Sequence, residues 1–218
     1  MARREFAALT HRPDLREIRW WPALLALLVL GVAYALVSAS LTLGPPWLLL
    51  ALIVVGAAAV RVARWREMWL VRRWLAVGLL GLATLAVGVS AVFLLASLLR
   101  GRTEATDLLR DAALLWFSNI LTFALWYWET DGGGPAHRHM RKGPGCSTDF
   151  VFPQMAVQHT DWMPEFVDYL FLAFNTSTAF SPTDTMVLAR RAKVLMMLQS
   201  LISLVTIAVL AARAINTL

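Results

Sequence analysis

Between a half-apolar stretch and a long apolar one lies Thr176-Ser177-Thr178-Ala179-Phe180-Ser181-Pro182-Thr183-Asp184. Hydroxyls, backbone carbonyls and one carboxylate in a short link between apolar segments can replace the hydration shell of a cation. The same residues admit a structural reading. Ser181 at an N-cap, Pro182 at the first helical position and Asp184 in the first turn are also a helix start. On that reading the stretch only opens the last helix.

Other polar groups sit inside apolar runs. Gln199, Ser203, Thr206 and Arg213 share one face of the last helix by their i, i+4, i+7 and i+14 spacing. They can line a water-filled path or make interhelical hydrogen bonds. Asn119, in an earlier apolar run, reads as a packing bond. Asp168 lies near the start of an apolar helix, where an acid is costly unless paired or functional. If the chain crosses fully at 163–184, Asp168 and Arg213 come to the same side and an ion pair between them is expected; otherwise Asp168 faces headgroup water. His137, His139, Cys146 and His159 match no closed zinc spacing, so no metal is expected. The single cysteine excludes an internal disulfide. No Ser-His-Asp set, P-loop or dinucleotide fingerprint is present. Neither enzymatic activity nor a cofactor is expected.

The polar stretch resembles the pore-loop of the tetrameric potassium-channel superfamily, whose signature reads T-x-T-T-V-G-Y-G-D. Thr176, Thr178 and Asp184 match at the right spacing, and Phe180 supplies an apolar residue at the valine place. The resemblance covers about the last 55 residues. Ser181 and Thr183 replace the two filter glycines, Pro182 the tyrosine and Ala179 the inner threonine. A carbonyl-lined filter needs backbone angles that glycine adopts cheaply and threonine does not. Pro182 also fixes its own φ and holds Ser181 extended. The departures remove ordinary potassium selectivity, so the resemblance implies a different pore, with Asn175, Thr176, Thr178, Phe180, Ser181, Pro182, Thr183 and Asp184 as its candidate pore or filter residues. Residues 108–218, with the W-Y-W-E segment, F-P-Q-M, T-A-F-S-P-T-D-T and A-A-R-A-I-N, are also similar to a family of bacterial integral membrane proteins with no established activity. That similarity implies a bacterial cytoplasmic membrane.

The elements that must hold these residues are helices in a bilayer. Of 218 residues 59% are hydrophobic and 16% charged, and the mean hydropathy is +0.62. The apolar excess falls in long blocks, the mark of spanning helices. Residues 22–43, 47–62, 75–99 and 108–128 read as four spans, the first two split by Gly44-Pro45-Pro46. Gly78, Gly81, Thr84 and Gly88 suggest that the third span packs closely on a neighbour. Residues 1–128 thus form a four-span region and 129–163 a polar loop. Residues 164–218 form either a hairpin that crosses twice or a re-entrant pore-loop with a final helix. The fold class is an all-α polytopic membrane bundle. A cleaved signal peptide is not expected, since the charged leader is long and a second apolar block follows at once.

Lys and Arg collect on the cytoplasmic side of spanning segments. They cluster before residue 20 and at 61–73, 100–110, 138–142 and 190–193. A conventional outward-facing pore-loop would place 16 of the 20 outside. Six crossings from a cytoplasmic N-terminus put 14 inside, and a pore-loop entering from the cytoplasm puts 16 inside. The expectation is an ion-channel-like module passing inorganic cations, necessarily a homo-oligomer because one loop cannot enclose a path. The rival class is a non-conducting membrane scaffold. The net charge of +6 reads as lipid anchoring, since no aromatic-basic groove motif points to nucleic acid.

Overall fold

The computed structural model describes residues 18–66, 68–100, 105–140, 148–157, 162–178 and 185–216. In chain order these form α1 (Trp21–Ala35), α2 (Trp47–Trp65), α3 (Trp69–Arg100), α4 (Ala105–Thr130), α5 (Pro135–Met140), β1 (Phe150–Val151), α6 (Pro153–Val157), α7 (Phe166–Thr178), β2 (Met186–Val187) and α8 (Arg190–Asn216). The architecture is an all-helical bundle. α2, α3, α4 and α8 are each long and apolar enough to cross a membrane, and α1 is a shorter apolar helix.

α4 is the hub, packed by α1, α3, α7 and α8. Its sequence requires that place. Ser118, Asn119, Thr122 and Glu129 are polar residues on an otherwise apolar helix, and all four are buried. In a bilayer such groups must find protein partners.

The first span is shorter than its apolar run of 22–43. α1 stops after 15 residues at Ala35. Beyond it, α4 takes over the backbone: Asp111 Oδ1 accepts the Ser38 N–H at 3.2 Å, and Arg110 donates to Ser38 Oγ at 3.1 Å. A short 3-10 turn, Ala39–Leu41, follows, and Gly44 at φ 80° reverses the chain into Pro45-Pro46 and α2. The third span begins earlier than expected. Arg72 and Arg73 lie in the first turns of α3 rather than in a basic connection.

Of the four residues of α3 expected to face a neighbour, Thr84 accepts the Trp126 Nε1–H at 2.8 Å and Gly88 faces Ile202, while Gly78 and Gly81 face no neighbour. A side-chain carbon at Gly78 or Gly81 would meet nothing within 4 Å, and one at Gly88 only Ile202 at 3.7 Å. The tight contact is Gly31, where such an atom would lie 2.7 Å from Leu50 Cδ1 and 3.3 Å from Leu50 Cα. Spacing alone does not say which face of α3 is covered. The covered face carries Leu80, Ala83, Val87, Ala91 and Leu94 instead.

Call the end of the bundle that holds Trp20, Thr130 and Arg191 the near end. α1, α3 and α8 start there, and α2 and α4 finish there. Segment 129–163 is more than a loop, for its described residues fold over this end as a packed cap. Gly132, Gly133 and Gly134, at φ 56°, 88° and 102°, turn the chain out of α4. β1 then pairs antiparallel with β2, Phe150 opposite Val187 and Val151 opposite Met186. Asp131, Asp149, Phe150 and Phe152 are buried there.

Candidate functional site

α7 has 13 residues, or about 20 Å of rise, against the ~30 Å of a bilayer core. Its start is at the near end, where Tyr169 Oη donates to Asp131 Oδ2 at 2.5 Å. Its finish is at the level of the middle of α8: Ser203 Oγ donates to Ser177 O at 2.5 Å. The next described residues, Thr185 and then β2, are back at the near end beside β1. α7 and α8 therefore run in the same direction. α7 thus runs into the bundle from the near end, and Thr185 is at that end again.

Both ends of α7 are held by specific groups. At the N-terminus the Asp168 carboxylate accepts the Glu165 N–H at 2.8 Å, the acid-at-N3 half of a capping box. Asp168 is thus a capping group, half-exposed at the near end. Arg213 lies 22 positions beyond Arg191 on α8, about 33 Å away along the axis. No pair between Asp168 and Arg213 forms, because the chain does not cross at α7 and the two sit at opposite ends.

The anchor under α7 is a buried polar cluster. Asp131 Oδ1 accepts the N–H groups of Asp149 at 2.6 Å and Phe150 at 3.3 Å. Arg138 Nη1 donates to Trp128 O at 2.9 Å and Asp131 O at 2.6 Å, and sits 4.0 Å from Asp131 Oδ2. Arg191, at the head of α8, grips both oxygens of Asp149 at 2.8 Å. α4, the cap, α7 and α8 are joined here by charge-assisted bonds, the stronger kind.

The second cluster lies at mid-depth. The last carbonyls of any helix lack intrahelical partners, and in lipid they would be left bare. Gln199 Nε2 donates to Ala173 O at 2.7 Å and to Ser177 Oγ at 2.8 Å. Tyr127 Oη donates to Gln199 Oε1, and Asn119 Nδ2 to Gln199 O at 3.1 Å. Gln199, Ser203 and Thr206 are thus a buried face between α8, α7 and α4. Thr206 bonds back to its own helix, at Ser203 O, 2.9 Å. Within the protomer this face makes interhelical bonds rather than a water path, while Arg213 lies beyond it at the far end.

Of the stretch that opened the sequence analysis, Asn175, Thr176 and Thr178 belong to the last turns of α7. Thr176 Oγ1 donates to Leu172 O at 2.8 Å, and Thr178 Oγ1 to Phe174 O and Asn175 O at 3.2 Å each. Phe180, Ser181, Pro182, Thr183 and Asp184 lie outside the described residues, as do Cys146 and His159. His137 Nδ1 lies 2.9 Å from Gly132 O and His139 Nδ1 3.3 Å from Pro135 O. No cluster of metal-ligating side chains occurs among the described residues.

Sequence reasoning missed the anchors: Asp131, Arg138, Asp149, Tyr169 and Arg191 at the near end, and Tyr127 at mid-depth. A signal existed, since Glu129 and Asp131 close an apolar block and so call for buried cations. No protein-family model, curated protein or solved structure matches this chain.

Proposed function

We propose that the chain is the subunit of an ion-channel-like pore module that passes inorganic cations without ordinary potassium selectivity. The observation that supports this reading best is α7. A half-length helix enters from one end, stops at mid-depth and is followed by a return to the same end. That architecture directs the negative end of the α7 dipole into the bilayer, where it favours a cation. α7 also leaves Val167, Phe171 and Phe174 exposed, and α8 leaves Val194, Met197 and Leu201 exposed. This apolar surface is available for the neighbouring copies that an enclosed path requires.

The test is cation flux from liposomes containing the full chain. Monovalent cations are expected to pass, and Asn175→Ala and Asp184→Ala to cut the rate at least tenfold. Silence for all ions at all voltages defeats the proposal. It favours the scaffold reading, to which the packing of Gln199, Ser203 and Thr206 inside the protomer lends support.

The same reading makes the near end cytoplasmic and the membrane the bacterial inner one. Among the described residues only Arg100, Arg110 and Arg213 lie at the far end, and every other Lys and Arg is at the near end. Positive charge is retained inside. Cys146 follows the near-end helix α5 in sequence, so an impermeant maleimide is expected to label it only after permeabilisation. Labelling in intact cells would reverse the orientation.

A further inference from the structure

At the near end α1, α2, α3 and α4 surround a cavity of about 90 Å³. Its walls are mainly apolar, with Leu24, Leu27, Val60, Leu79 and Leu125 among them. Trp20, Arg72 and Glu129 line it too. Arg72, 5% exposed, gives Nη2 to Glu129 Oε1 at 2.6 Å. Its Nε is buried and has no hydrogen-bond partner among the described residues, and the same holds for Trp20 Nε1. Buried donors are rarely left unpaired. Both are sealed in the packing behind the cavity wall, and the wall itself is apolar.

Positive charge gathers beside this wall. The Arg64 guanidinium stands 4.3 Å from the centre of the Trp20 ring and that of Arg72 5.4 Å from it. Two cations thus share one indole, with Glu129 the only described carboxylate lining the cavity. Arg61 adds a third positive charge close to Arg64. An apolar chamber below surplus guanidinium groups fits an amphiphile with an anionic head.

We propose that this chamber binds an anionic phospholipid, its phosphodiester at Arg64 beside Trp20 and part of one acyl chain against the apolar walls of the cavity. A zwitterionic lipid brings its own cation and leaves the surplus charge unanswered. Inorganic phosphate answers the charge and leaves the apolar walls unfilled. The site is independent of α7 and of any conduction.

The full chain in detergent, offered dioleoylphosphatidylglycerol, dioleoylphosphatidylcholine or inorganic phosphate, tests this by native mass spectrometry and thermal unfolding. Phosphatidylglycerol is expected to be retained at least tenfold more tightly than phosphatidylcholine and to raise the unfolding temperature, with phosphate inert. Arg64→Gln should weaken that retention at least tenfold. Ala76→Phe, which fills the chamber and keeps every charge, should remove the preference, and Arg100→Gln should change nothing. Equal retention of the two lipids overturns the proposal. So does phosphate as effective as the lipid, which would mean a small-anion site, or normal retention in folded Arg64→Gln. If both cavity variants fail to fold, the wild-type comparison still decides.

Discussion

Asp131→Ala is expected to destabilise the protein by about 3–5 kcal/mol, the usual result of removing one member of a buried charged pair. One carboxylate here serves four partners. The N–H groups of Asp149 and Phe150 and the hydroxyl of Tyr169 donate to it, and Arg138 lies 4.0 Å away. Arg138 is itself 7% exposed, so its charge would remain buried beside two carbonyls. Asp131→Asn keeps an oxygen for the two amides and loses the charge, and should fall between alanine and wild type. Tyr169→Phe removes one bond to a charged group and should cost about 1.5–3 kcal/mol. Unfolding followed by circular dichroism in one detergent gives all three values. Asp131→Ala within about 0.5 kcal/mol of wild type, the range of an inert surface change, would show that the cluster does not hold the cap. Hydrogen exchange adds a local check, because α7 and β1 should lose protection before α2 and α3 do.

The bundle was legible because bilayer physics writes long apolar blocks: α2, α3 and α4 answer to three of the four expected spans, and α8, the expected final helix, is the other helix long enough to cross. The shortness of α1 was not, since its apolar run continues to Leu43 while Asp111 and Arg110, more than 70 positions away, end the helix. The same distance hides the close-packed face of α3. Gly78 and Gly81 look like a packing motif in one dimension, and only Leu50 beside Gly31 shows where two backbones meet. The polar segment after Trp128 concealed most. A run with five glycines and eleven charged or hydroxyl side chains reads as loop, yet Asp131 and Asp149 are buried because Tyr169 and Arg191 return to them from later in the chain. Such pairings are non-local, and composition carries no trace of them.

The direction of α7 against α8 is fixed by registry. A helix of 13 residues that begins beside Asp131 cannot end beyond the middle of α8. β2 then places the chain at the near end once more. Charge distribution had left six crossings and an inward-entering loop nearly equal. A full crossing at α7 would require α8 to run antiparallel to it. With α8 parallel, Gln199 and Ser203 meet carbonyls near the end of α7 instead of its first turn. The polar face that looked like a water path is then committed to capping a helix end in lipid.

Gln199 is the residue on which that depth depends, and Gln199→Leu is expected to cost about 2–4 kcal/mol. Leucine matches the volume and supplies none of the bonds. Ala173 O and Ser177 Oγ would lose their donor, and Tyr127 Oη its acceptor, in a place where Gln199 is fully buried. Gln199→Glu should be worse, for it keeps the acceptor, loses both donors and places an acid at mid-depth, where insertion alone costs about 2.5–3.5 kcal/mol. Tyr127→Phe should be milder, and combined with Gln199→Leu should show coupling of about 0.5–3 kcal/mol, as contacting residues do. Additive losses would mean that the two side chains act separately. Flux measured well below the unfolding temperature then connects stability to the proposed role. If α7 positions a cation path, Gln199→Leu should lose conduction while still folded, because the end of the helix is no longer fixed. A variant as stable and as conductive as wild type would show that α7 keeps its depth without this network.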